Sequence, residues 1–185
     1  MALVKAANPS QIFGREAFRD LTAISRWKGL ALVAPAWITI VALAWGAAWI
    51  GTWWAWVIAI VLIGGRQLGL AILMHEGAHG LLHPNRAVNN WVGQWVTGVP
   101  MGTDLHAYRT YHLTHHRYTQ QPEDPDLSLS APFPTTRASL MRKVFRDITG
   151  QTFVKQRGAQ LAMAIKGFGP GAKEQNLFIG KVTLL

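Results

Sequence analysis

The chain has 185 residues, enough for one domain, and carries a formal net charge of +9. Half of it is hydrophobic and only 15% is charged, against roughly 25% in typical soluble chains, and residues 29–65 carry no charge at all. The basic excess flanks a long apolar stretch instead of lining one groove, which argues against nucleic acid and for a surface facing anionic lipid; the absence of cysteine excludes disulfides, thiolate metal sites and a cysteine nucleophile.

In chain order, "NPSQIFGREAFRDLTAISRWKG" mixes polar and charged residues and has no apolar core of the signal-peptide kind. It reads as a short amphipathic, membrane-proximal segment or a plain solvated helix. The stretch 30–65, "LALVAPAWITIVALAWGAAWIGTWWAWVIAIVLIGG", is too long for one span of ~20 residues. It predicts a transmembrane helical hairpin turning at Gly51-Thr52. Trp45, Trp49, Trp53, Trp54 and Trp56 crowd that turn, as interfacial tryptophans do. Arg15, Arg19, Arg26 and Lys28 before the hairpin, and Arg66 and Arg86 after it, place both flanks in the cytoplasm.

No helix breaker follows Arg66 until His83-Pro84, so the spacing predicts a helix over 66–83 continuing inward as a stalk. At ~1.5 Å per residue, His75 lies ~13 Å beyond Arg66, at or past the cytoplasmic face. The uncharged residues 87–103 read as an interfacial or re-entrant segment. A second helix is expected over 104–120. Residues 121–185 form a loop and a cytosolic or interfacial segment. Within it, "TQQPEDPDLSLSAPFPTT" is a loop and "RASLMRKVFRDITG" a basic amphipathic helix or an ordinary charged one. "KGFGPGAKEQ" is a linker, and "NLFIGKVTLL" looks like the opening of another apolar segment. The whole of 1–185 is expected to be a single domain.

The chemistry sits in two histidine boxes. His75 and His79 stand at i and i+4 in "HEGAH"; His112, His115 and His116 stand at i, i+3 and i+4 in "HLTHH". On helices these spacings place side chains on one face, one turn apart, so neighbouring imidazoles can share a metal. Imidazole suits iron, zinc, copper and nickel alike. "HEGAH" also spells the zinc-protease pattern H-E-x-x-H, in which Glu76 would be the general base acting on a zinc-bound water. Five imidazoles exceed what one catalytic zinc takes and fit a two-metal site. Glu76 would then hydrogen-bond a ligating imidazole and fix its tautomer. His83, before Pro84, and His106, outside both boxes, are expected to support the site or the fold without ligating.

An apolar hairpin followed by "HEGAH" and "HLTHH" resembles the membrane fatty acid desaturase/hydroxylase superfamily. "YRTYHLTHHRYTQQPEDPDLSLSAPFP" is especially similar to its bacterial desaturases, and the resemblance covers roughly residues 20 to 160. It implies an all-α integral membrane fold, with cytosolic helices carrying the histidine boxes of a two-iron centre. By motif match the ligands are His75, His79, His112, His115 and His116. The implied reaction is oxygen-dependent introduction of a double bond into an acyl lipid, with electrons from a donor such as ferredoxin or cytochrome b5. Related lipid or carotenoid hydroxylation and the intramembrane zinc protease are the alternatives. The implied location is a membrane, the bacterial inner membrane, with the boxes facing the cytoplasm. The family carries a third histidine box after a further pair of spans, and no histidine follows His116 here. The resemblance therefore implies the N-terminal part of a desaturase, which as 185 residues would bind two irons poorly and turn over little.

Overall fold

The structure, a computed structural model, describes residues 12–167, and every regular element among them is a helix. Most of the "KGFGPGAKEQ" linker, all of "NLFIGKVTLL" and the first eleven residues lie outside the described residues. The helices are α1 (Arg15–Leu21), α2 (Lys28–Ile50), α3 (Trp53–His79), α4 (Arg86–Trp91), α5 (Leu105–Tyr118), α6 (Leu127–Ser130), α7 (Arg137–Ile148) and α8 (Gln151–Gly167). A π-helical stretch, Val92–Gly98, and a 3₁₀ turn, Val99–Met101, run on from α4.

Helices α2 and α3 are long and apolar enough to cross a membrane, and they pack on each other. The turn between them works because Gly51 takes the left-handed conformation (φ 70) and donates its N–H to the Ala47 carbonyl at 3.0 Å. Beside the turn, Ala47, Ala55 and Ala59 bury against one another, and such small side chains let two helix backbones approach closely. At the other end Val33 and Ala36 of α2 meet Leu70 and Leu73 of α3, with Leu82 and Val92 completing the cluster. Gly29 presses there on the Leu82 backbone: a Cβ would stand 2.3 Å from the Leu82 carbonyl oxygen. The outward faces stay apolar and bare, with Trp45, Trp49 and Trp53 more than three-quarters exposed (76%, 85% and 78%). A contiguous apolar surface of this extent marks a face meant for lipid or another protein.

Helix α3 runs unbroken through Arg66 but stops at His79, before the His83-Pro84 pair where the sequence predicted its end. The reason is Gly80, which adopts φ 82. Its N–H bonds to the Gly77 carbonyl at 3.1 Å and the Leu81 N–H to the Glu76 carbonyl at 2.9 Å, the paired bonds of a Schellman stop. Residues 87–103 then lie along α3. Val92, Gly93, Gln94, Thr97 and Gly98 are buried, while Trp91 and Trp95 stay about half exposed or more. The indole of Trp37 on α2 ties this stretch down by donating to the Val96 carbonyl at 3.0 Å.

The predicted basic helix is α7, opened by Thr136, whose hydroxyl accepts the Ser139 N–H at 3.2 Å. It keeps Leu140, Met141, Phe145 and Ile148 exposed beside Arg137, Arg142, Lys143 and Arg146. The turn at Gly150 (φ 76) leads into α8, a helix not expected from the sequence.

Candidate metal centre

Two helix ends build the site. The first is the C-terminus of α3, which carries His75 and His79. Its last carbonyls lack intrahelical partners, as at every helix end, and other side chains take them. Asn89 is fully buried; its amide donates to the Gly77 carbonyl at 2.9 Å and its oxygen accepts the Leu82 N–H at 3.1 Å. Arg109 on α5 donates from Nε to the Ala78 carbonyl at 2.8 Å and from Nη2 to that of Gly77 at 2.9 Å. The same Nη2 reaches the Asn90 side chain at 2.7 Å.

The second end is α5. Asp104 caps it by accepting the Ala107 N–H at 2.7 Å, and the buried Gln94 side chain accepts the Leu105 N–H at 2.8 Å. Leu105, wholly buried, packs on Met74 and Ala78, just below the first box. Gly77 and Gly93 allow the close crossing, since a Cβ on Gly77 would stand 3.2 Å from the Gly93 Cα. One helical turn past Arg109 comes His112, and one turn further His116.

The result is a cage. The ligand atoms of His75, His79, His112 and His116 all lie within 4.8 Å of one another. His112 Nε2 faces His79 Nε2 at 3.0 Å and His116 Nε2 at 2.9 Å. The His75 ring sits 4.7 Å from that of His79 and 4.4 Å from that of His112, centroid to centroid. Tyr108 stacks flat on His112, 5.2 Å away with an interplanar angle of 8°. Burial, followed by the neighbouring His75, His116, His79 and His115, pushes the His112 pKa down to about 4. Its imidazole is therefore neutral at pH 7, with a lone pair to give.

These donors fit a transition-metal ion. Two ligands at right angles, each ~2.1 Å from an ion, stand ~3.0 Å apart, which is the spacing of the Nε2 pairs. The histidine cluster thus fits iron as well as other ions that favour imidazole.

His115, the fifth expected ligand, is not in this cage. Its Nδ1 contacts Asp124 Oδ1 at 2.7 Å and Asp126 Oδ2 at 3.5 Å. The hydrogen bond to Asp124 raises the His115 pKa against the opposing effect of burial. Burial pushes the Asp124 carboxyl up, but His115 and the N–H groups of Gln120 and Asp126 outweigh it, so its net pKa is lowered. Glu76 lies against His75 Nδ1 at 3.1 Å. His83 accepts the Asn85 N–H at 2.9 Å in the turn after α3, and His106 is exposed at the start of α5.

Sequence reasoning passes over Asp124, Arg109, Asn89 and Gln94. Only Asp124 leaves a local signal, an acidic "EDPD" turn directly after a histidine box.

The described residues are helical, and they gather imidazoles from two helix ends beside two long apolar helices, which is the arrangement of a metal-binding protein. The profile of the fatty acid desaturase family matches residues 51–178, and the chain belongs to that family. It is 38% identical over 78 residues to the dihydrorhizobitoxine desaturase of Bradyrhizobium elkanii, covering 41% of this chain and 22% of that protein. It is 30% identical over 94 residues to the sn-1 oleoyl-lipid 12-desaturase of Arthrospira platensis, covering 48% of this chain and 26% of that protein. Against the sn-1 acyl-lipid omega-3 desaturase (ferredoxin) of Synechocystis it is 29% identical over 73 residues, covering 40% and 20%. The matched part therefore spans only 20% to 26% of the length of these relatives. No solved structure matches the chain. The zinc-protease and hydroxylase alternatives find no support in these relatives.

Proposed function

We propose that the chain carries the histidine-box centre of an oxygen-dependent, iron-using acyl-lipid desaturase. The convergence of His75, His79, His112 and His116 from two separate boxes is the observation that carries this reading. His115, which lies outside the four-imidazole cage against Asp124, would add a fifth ligand through its remaining ring nitrogen. Iron bound there supplies, with dioxygen and two electrons, the oxidising power that removes two hydrogens from adjacent unactivated acyl carbons.

The chain's own residues hold and shield that centre. Neutral His112 offers a lone pair, and Tyr108 covers its ring face. Glu76 accepts the His75 Nδ1–H and so turns His75 Nε2 toward the cage. Arg109 locks the second box onto the end of the first.

In this reading α2 and α3 cross the membrane as a hairpin, with the boxes on the cytoplasmic side of a bacterial inner membrane. Helix α3, with 27 residues, is ~40 Å long, against ~30 Å of hydrocarbon. Its turns beyond Arg66 carry His75 and His79 toward the cytoplasmic side. The basic, apolar-faced α7 lies on the anionic leaflet. The Synechocystis relative is a ferredoxin desaturase by name, which favours a donor of that kind over cytochrome b5.

Lipid profiling of cells expressing the full gene tests the reading. A new unsaturated acyl chain that appears only in air, and vanishes with His112→Ala, supports it. A lipid profile unchanged by expression in air contradicts it.

A further inference from the structure

The acidic turn after α5 stands outside the four-imidazole cage, yet it closes on a histidine of the second box. The chain doubles back after Tyr118, and Gln120 adopts φ 62, the one positive-φ residue other than glycine among those described. This backbone brings Asp124 beneath the last turns of α5, where its side chain is wholly buried. Three donors hold its two oxygens. Oδ2 accepts the Gln120 N–H at 2.8 Å, and Oδ1 accepts the Asp126 N–H at 2.8 Å and meets His115 Nδ1 at 2.7 Å. Asp126 is itself held by the Tyr111 hydroxyl, one turn before His115 on the same helix.

His115, Asp124 and Asp126 are close enough together to suggest a cation site of their own. The hydrogen bonds argue otherwise. Both Asp124 oxygens are already taken by N–H donors, so this carboxylate is built to aim an imidazole.

We propose that Asp124 is a positioning residue that keeps the ring proton of His115 on Nδ1 and leaves Nε2 bare as the metal-binding atom. The inference rests on reading His115 as a metal ligand. A buried carboxylate is an acceptor only, so the nitrogen facing it must carry the proton. A free neutral imidazole prefers its proton on Nε2, which would block the ligand atom. The first box repeats the device: Glu76 occupies His75 Nδ1 and leaves that ring's Nε2 for the cage. His79, His112 and His116 also face one another through Nε2, so His115 would present the same atom as its neighbours.

The test has two readouts on the full chain in nanodiscs. In metal-free protein labelled with ¹⁵N-histidine, the His115 shifts should report a proton on Nδ1. They should move toward the Nε2–H form in Asp124→Ala. A wild-type His115 protonated on Nε2 overturns the proposal without any variant, which covers the case that the variant fails to fold. In anaerobic Fe(II) titration, Asp124→Ala should weaken iron binding by about ten- to a hundredfold, as loss of such partners does elsewhere. Asp124→Glu should restore part of it. If His115→Ala weakens binding and Asp124→Ala does not, the positioning role fails alone. If His115→Ala leaves iron binding unchanged, the reading of His115 as a ligand fails and takes the proposal with it.

Discussion

The Nε2 atoms of His79 and His112 face each other across 3.0 Å, although the two residues belong to different helices. Nothing in either box brings this about. It depends on α3 stopping at Gly80, and on Arg109 fastening α5 to the Gly77 and Ala78 carbonyls at that stop.

Arg109 should therefore matter to the site without touching it. Arg109→Met removes hydrogen bonds to the Gly77 and Ala78 carbonyls and to Asn90. A part-buried, charge-assisted set of this kind is worth about 2–4 kcal/mol. A lowered melting temperature in detergent, with weaker Fe(II) binding, is the expected outcome. Unchanged iron affinity would mean that α5 docks by other means.

Glycines along the two apolar helices should divide into two classes. At Gly29 a methyl group meets the Leu82 backbone, which cannot swing aside, so Gly29→Ala should destabilise by about 1–3 kcal/mol. At Gly64 and Gly65 nothing lies within 4 Å of an added methyl, and Ala there should be neutral or stabilising by up to about 1 kcal/mol. Thermal unfolding of the single variants in one detergent compares them. Equal effects at Gly29 and Gly64 would contradict the close contact.

Acid should loosen the metal-free protein through His112. Its folded pKa of about 4 lies below the ordinary value of 6.5. Between these values the unfolded chain binds the proton and the folded chain does not, so stability falls as pH drops from about 6.5 toward 4. His115, with a raised pKa, works in the opposite direction at higher pH: what it adds is present below 6.5 and is lost as pH rises through its folded value. Melting curves at pH 7 and pH 4.5 should show the acid loss, and His112→Ala should reduce it. An identical loss in the variant would assign the acid effect to other groups.

Local signals reach some of these features and miss others. The histidine spacing, the Gly51-Thr52 turn and the apolar stretches on either side of it are all statements about residues close in sequence. The boundary at His79 has a local signal too, because a glycine after a helical run is a common stop, and Gly80 outranks the later His83-Pro84 pair. The π-helical turn at Val92–Gly98 has no such signal; it follows from packing on α3 and from the Trp37 indole. Arg109, Asn89 and Gln94 act across 7 to 32 positions of sequence, so their roles appear only once the helices are docked. Asp124 sits in a turn that looks like any acidic loop until the backbone at Gln120 folds it under His115.

Whether the two boxes make one metal cage is decided by anaerobic Fe(II) titration of the purified chain, with metal analysis after gel filtration, using His79→Ala and His112→Ala beside the wild type. Each single variant should lose the same bound ion, because both boxes hold it. Full retention of that ion in either variant would show that the boxes bind independently, and would contradict the cage.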